Sequence, residues 1–154
     1  MDELNRRLTR LEDREAIRDL IARYGPLADS GDAAALAALW TEDGCYEVLG
    51  FATAQGRKHI AALITGPVHQ DLMAGGVAHL LGPVAITLDG DSAQAQGHSV
   101  VLRHHDGAFH ACRVSANRWT LQRTAEGWRV HHRVNALLDG AAAARALLAL
   151  PPAL

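Results

Sequence analysis

Nine histidines stand among the 154 residues, and imidazole is the side chain best suited to moving protons near neutral pH. His79 is set apart by its neighbours. It lies between Val77, Ala78, Leu80 and Leu81, where burial disfavours the charged ring and leaves a neutral base. Such a base needs an acceptor on its other nitrogen to fix the tautomer. Asp29 is the candidate, because it follows Tyr24, Leu27 and Ala28 at the end of the apolar face of the first helix. The same two residues also fit a simpler pattern, a hydrogen-bonded core histidine and a turn aspartate in DSGD. His59 and His69 fall in the helix and loop ahead of the strands, where solvated histidines are common. His104 with His105, and His131 with His132, are strand neighbours that point to opposite faces and cannot chelate one metal directly. There is no HExxH, and Cys45 and Cys112 lack a CxxC partner, so neither a zinc site nor a disulfide framework is indicated. Both thiols are expected to be reduced and buried.

The elements that must position His79 and Asp29 follow from periodicity. Leu4, Leu8, Leu11, Ile17, Leu20, Ile21 and Tyr24 recur at three- and four-residue steps, predicting one long amphipathic helix over the first thirty residues. Pro26 should bend or end it. Asp32 is placed to cap a second helix, AAALAALW, which stops before the polar TEDG. CYEVLGF reads as a short strand, and RKHIAALIT after Gly56 as a third helix. From Val77 onward the pattern is of strands. VAHLLGPVAITL, AQAQGHSVVLRHH, HACRVSANRWTLQR and WRVHHRVNALL form an antiparallel meander, turning at DGDS, DGAF and TAEG. An alanine-rich helix and LPPAL follow. Helices covering one face of a twisted sheet make an α+β fold, read as a single domain over 1–154, with a cavity at its open end.

Composition removes several classes of function. The chain is 49% hydrophobic and 21% charged, and its net charge is −2. That profile is of an ordinary globular protein, without the basic field that nucleic acid requires. Lys58 is the only lysine and 29 residues are alanine, a usage typical of GC-rich bacterial genes. The N-terminus is charged throughout, and no apolar run approaches the ~20 residues of a membrane span. A soluble, cytoplasmic protein with neither nucleic-acid nor membrane partners is expected.

Taken together, LEDREAIRDLIARYGPLADSGDAAALAALWTEDGCYEV, QGRKHI, AHLLGP, SANRWTLQR and EGWRVHHRV resemble the SnoaL-like branch of the nuclear-transport-factor-2 superfamily. The likeness runs over essentially the whole chain. It implies a cone of curved antiparallel sheet wrapped around helices, with a deep pocket. Within the branch the lyases are most similar. Tyr24 and Asp29 have the five-residue spacing of the tyrosine and aspartate of bile-acid 7α-dehydratases, with His79 as the strand histidine and Arg133 as the arginine of the last strand. Hexachlorocyclohexane dehydrochlorinase is similar at Asp29, His79 and Arg133. Scytalone dehydratase is similar at Asp29 and His79 and through the SAN triplet, which brings in Ser115 and Asn117, while His104 falls at its second histidine. Its two tyrosines are replaced by Ala28 and, near the early strand, Val48.

The resemblance implies a cofactor-independent lyase or isomerase, with no metal or organic cofactor. His79 would abstract a proton, Asp29 would orient it, Tyr24 would protonate a departing hydroxyl or steady an enolate, and Arg133 would offset negative charge. The expected ligand is a cyclic or polycyclic hydroxylated or carbonyl compound held by Ser115, Asn117, His104 and Trp119. Strand parity places Arg133 with Arg129 and His131, on a solvated face unless a bulge intervenes. A homodimer or homotrimer through the outer face of the sheet is expected. The other class open to this chain is a non-catalytic domain that binds small molecules or partners through the same pocket.

Overall fold

Pro26 sets the first break in the chain. The computed structural model describes residues 2–152, beginning with α1 (Glu3–Ala22), capped by the Asp2 carboxylate accepting from the Asn5 N–H at 2.8 Å. Pro26 has no N–H to offer the Ala22 carbonyl, so the ladder lapses at Arg23 and a second helix, α2 (Tyr24–Ser30), begins. The predicted single helix is therefore two. Its apolar stripe is also shorter than expected: Leu4, Leu8 and Leu11 are exposed, and burial starts at Asp13, Ile17, Leu20 and Ile21. Gly31, with φ 75°, ends α2 in a left-handed turn. Asp32 caps α3 (Ala33–Ala37) as predicted, but α3 is brief, and β1 (Trp40–Val48) already includes the polar TEDG.

β2 (Ala52–Gln55) pairs back on β1, and α4 (Arg57–Thr65) follows where predicted. Gly66-Pro67 then opens α5 (Pro67–Gly75), a helix where the sequence reading had a loop. The predicted first long strand is split at Gly82-Pro83 into β3 (Val77–Leu81) and β4 (Ala85–Asp89), and both pair with β5 (Ser92–His105). β6 (Ala108–Thr124), β7 (Gly127–Leu137) and α6 (Ala142–Leu147) complete the described chain. The sheet runs β2-β1-β7-β6-β5-β3, with β4 beside β5. All pairs are antiparallel except β1 with β7, which is parallel and corrects the expected all-antiparallel sheet.

This is an α+β fold in which a curved, unclosed sheet holds helices against one face. The shared core joins Ile17, Ile21 and Leu36 from the helices to Trp40, Trp119, Leu121 and Val130 from the strands. At one end, Arg123 donates two hydrogen bonds to the Asp13 carboxylate, at 2.8 and 2.7 Å, and Trp128 Nε1 donates a third at 3.0 Å. That cluster anchors α1 to the β6–β7 hairpin. No helix among the described residues is long and apolar enough to cross a membrane.

Candidate active site

Asp29 and His79, fifty residues apart, meet where α2 lies against β3. The His79 Nδ1–H donates to Asp29 Oδ1 at 2.6 Å, and the His79 backbone N–H donates to Asp29 Oδ2 at 2.8 Å. One carboxylate therefore fixes both the ring and the strand that carries it, and leaves Nε2 as the ring nitrogen with a lone pair. The approach is allowed by Gly25, because a Cβ there would stand 2.2 Å from the His79 carbonyl oxygen. Burial holds His79 below the ordinary imidazole pKa, against the opposing pull of the Asp29 hydrogen bond and charge; His69 and Arg133 add to the lowering. The result is a neutral imidazole at pH 7, poised as a base.

Arg133 reaches the same region through an irregularity. Between β6 and β7 the register passes from Thr120↔His132 to Leu121↔Val130, so His131 is an extra residue, a β-bulge. Trp128 and Val130 face the core on one side of it, and Arg133 and Asn135 on the other. The bulge reverses the parity that would have put Arg133 outside. Its guanidinium lies 4.1–4.5 Å from the ring centroids of Tyr24, Tyr46 and Trp119, an aromatic cage that offers cation–π attraction instead of a counter-ion. Nε and Nη2 donate to Asn117 Oδ1 at 3.0 and 2.8 Å, and Asn117 Nδ2 donates to Ser99 Oγ at 2.8 Å. Asn135 Nδ2 also donates to Asn117 Oδ1, and Asn135 Oδ1 accepts from Arg113 at 2.9 and 3.1 Å. Burial pushes the Tyr24 hydroxyl well above the ordinary phenol pKa, reinforced by Tyr46 and only partly offset by Arg133. Tyr24 stays protonated and is a donor.

Beside this network lies a cavity of about 480 Å³, much of its wall aliphatic, from Leu63, Ile64, Leu72, Leu81, Val100 and Val101. Tyr24, His79, Arg133 and Ser115 all line it. Three expected ligand contacts do not. Trp119 lies behind, in the cage around Arg133, and Asn117 is spent holding Arg133. His104 is exposed at the far end of β5, against Phe109, because its strand has run past the cavity by that point. The cysteines correct another expectation: Cys45 is half-buried and Cys112 exposed at the cavity wall. Tyr46, His69, Ser99, Arg113 and Asn135 also line the cavity and were missed. Tyr46 sits at an ordinary inward strand position. His69, expected in a loop, is buried on α5, its ring 5.5 Å from that of His79, and its Nε2–H donates to the Ala28 carbonyl at 2.7 Å. It thus grips the residue before Asp29. The Gly-Pro pair at its helix start was the available clue. Among the described residues no cluster of three or more His, Cys, Asp or Glu could hold a metal ion.

The curved sheet, the helices on its inner face and the cavity between them are features of the NTF2-like, cystatin-like fold. Residues 9–134 match the model of the SnoaL-like domain, and the chain belongs to that family. It is similar to an NTF2-like protein with a cystatin-like fold from Novosphingobium aromaticivorans, at 65% identity over 96% of each chain and a TM-score of 0.94. Two more distant likenesses show the fold alone. One is ActVI-ORFA from Streptomyces coelicolor, at 23% identity over 82% of this chain and 98% of that one, TM-score 0.70. The other is a Catenulispora acidiphila protein in complex with S-DNPA, at 21% identity over 80% and 91%, TM-score 0.70. None of the curated proteins compared with the chain matches it.

Proposed function

We propose that this protein is a cofactor-independent lyase or isomerase acting on a cyclic or polycyclic hydroxylated or carbonyl compound. The observation that carries the reading is the 2.6 Å bond between His79 Nδ1 and Asp29, which leaves Nε2 as a neutral base in an apolar cavity. Nε2 takes a proton from a carbon next to a carbonyl or a leaving group, and Asp29 stabilises the imidazolium that forms. In an isomerisation the C–H pair forms the enolate C=C bond as the C=O π pair moves to oxygen. The carbonyl then re-forms as another carbon takes the proton back from the His79 imidazolium. In an elimination the C–H pair forms the C=C bond, the C–O bond breaks, and the hydroxyl leaves as water with a returned proton. Tyr24 donates to the oxygen that gains charge. Arg133 acts through the field, from behind the Tyr24 and Tyr46 rings, where excluded water makes its charge count most.

Hydrogen–deuterium exchange of ring ketones, followed by NMR in D₂O, tests the reading. His79→Ala should slow exchange by ~10²–10⁴-fold while keeping ligand affinity within about 1 kcal/mol, because the base acts in the transition state. Exchange no faster than the His79→Ala background for every ketone that binds would make the chain a binding module and end the proposal.

A further inference from the structure

The cavity wall carries an imbalance of charge that the proton-transfer chemistry does not use. Two guanidiniums line it, Arg113 and Arg133, and no carboxylate does among the described lining residues. The nearest carboxylate, Asp29, has both oxygens committed to His79. Neither arginine takes part in an ion pair among the described residues: Arg133 is held by Asn117 and Arg113 by Asn135, both through neutral amide oxygens. Arg133 is buried and Arg113 half-buried; cations so enclosed and satisfied only by neutral groups leave a field that favours an anion.

Each keeps an Nη1 without a hydrogen-bond partner among the described residues. That of Arg133 is buried within the aromatic cage, so the more accessible of the two is Arg113, half-buried at the cavity wall. Its Nε and Nη2 donate to Asn135. One rung deeper on the same face of β6, Ser115 is 1% exposed, and its hydroxyl has no hydrogen-bond partner. A buried hydroxyl without a partner is uncommon and marks a place where something is missing. Register fixes where this lies relative to the base: His79 pairs with Val101, and Val101 with Arg113. The two residues share one rung, two strand spacings apart, or roughly 10 Å between backbones. A single ring system spans that gap.

We infer that the ligand is a ring compound bearing a carboxylate, held by Arg113 and Ser115 across the cavity from the carbon that meets His79. This rests on the proposed proton-transfer site and narrows its substrate class to cyclic carboxylic acids. Guanidinium and carboxylate pair with a geometry and strength that an amide or ester oxygen cannot match.

Calorimetric titration with 1-naphthoate and its neutral counterpart 1-naphthamide tests the inference without any turnover. The wild-type protein should bind the acid at least ~10-fold more tightly than the amide. Arg113→Gln should erase that preference while leaving amide affinity unchanged, and Arg113→Lys should retain most of it. Equal affinity for acid and amide in the wild type overturns the inference, even should Arg113→Gln fail to fold. So does an Arg113→Gln protein that loses affinity for both alike. His79→Ala should keep the acid preference. Acid preference without His79-dependent exchange would refute the lyase or isomerase reading alone, and the converse would refute the carboxylate subsite alone.

Discussion

A single methyl group on α2 should dismantle the proton-abstracting pair without touching either member. In Gly25→Ala the new Cβ would stand 2.2 Å from the His79 carbonyl oxygen, whereas ordinary contacts begin near 3.4 Å. The obstacle is strand backbone rather than a flexible side chain, so α2 has to retreat by about 1 Å. Asp29 rides on the same short helix. Its bonds to His79, 2.6 and 2.8 Å in length, would open to roughly 3.6–3.8 Å, past hydrogen-bonding range. Displacement on that scale costs about 10²-fold in turnover. Stability should fall by up to about 2 kcal/mol, because overpacking at 1–3 kcal/mol is offset in part by the ~1 kcal/mol gained on replacing a helical glycine. Deuterium exchange and urea unfolding measure the two effects on one preparation. Gly75→Ala, in α5 with nothing within 4 Å of the new Cβ, is the control: it should leave exchange unchanged and raise stability by at most ~1 kcal/mol. Wild-type exchange together with wild-type stability in Gly25→Ala would refute the idea that helix-to-strand approach sets the dyad.

Asp29→Asn keeps one acceptor where two are needed, so either the ring or the strand N–H loses its bond; exchange should drop at least ~10²-fold. Because Asp29 raises the His79 pKa, its removal should also move the acid limb of the kcat/KM profile to lower pH, and a limb that shifts upward would contradict this. In the wild type that limb already lies below 6.5, since burial depresses His79. Asp13 is held below the ordinary carboxylate pKa, chiefly by the Arg123 hydrogen bonds, so its stabilisation is full above pH 3.8 and is lost as pH falls through the lowered value. Asp13→Asn should therefore cost about 1–3 kcal/mol in urea unfolding at pH 7, towards the lower end because Arg123 is partly exposed to screening, and much less at pH 2.

Local chemistry made part of this molecule readable from its sequence. An aspartate closing an apolar helical face and a histidine among strand aliphatics needed only periodicity to be paired, and the turns at Gly90, Gly107 and Gly127 came from Asp-Gly and Glu-Gly dipeptides. What stayed hidden depends on distant pairing. The parallel contact of β1 with β7 joins residues some ninety positions apart, and no local propensity encodes it. Tyr46 looks like any inward strand aromatic until Arg133 is found beneath it. His69 was obscured for a different reason: what ties α5 to α2 includes a histidine-to-carbonyl bond across forty-one residues, a contact that local periodicity does not signal. His104, Asn117 and Trp119 show the limit of assigning contacts along a long strand, which leaves the cavity at one end and enters the core at the other.

The extra residue in β7 has a consequence for how this strand can change over generations. Trp128 and Val130 belong to one phase of the alternation and Arg133 and Asn135 to the opposite one, yet all four face inward because His131 absorbs the half-step. A substitution at His131 leaves that phase shift intact, whereas deleting one residue there would restore simple alternation. The pairing would then run unbroken from Leu121↔Val130 to Thr120↔His132, with Arg133 still facing inward and only the local bend lost. The strand can therefore lose one residue between Trp128 and Arg133 by closing the bulge, whereas gaining one there would need a second bulge to keep Arg133 inside. Among relatives of this chain, the inward facing of the arginine is a stricter mark of a shared site than its exact distance in sequence from the tryptophan of β7.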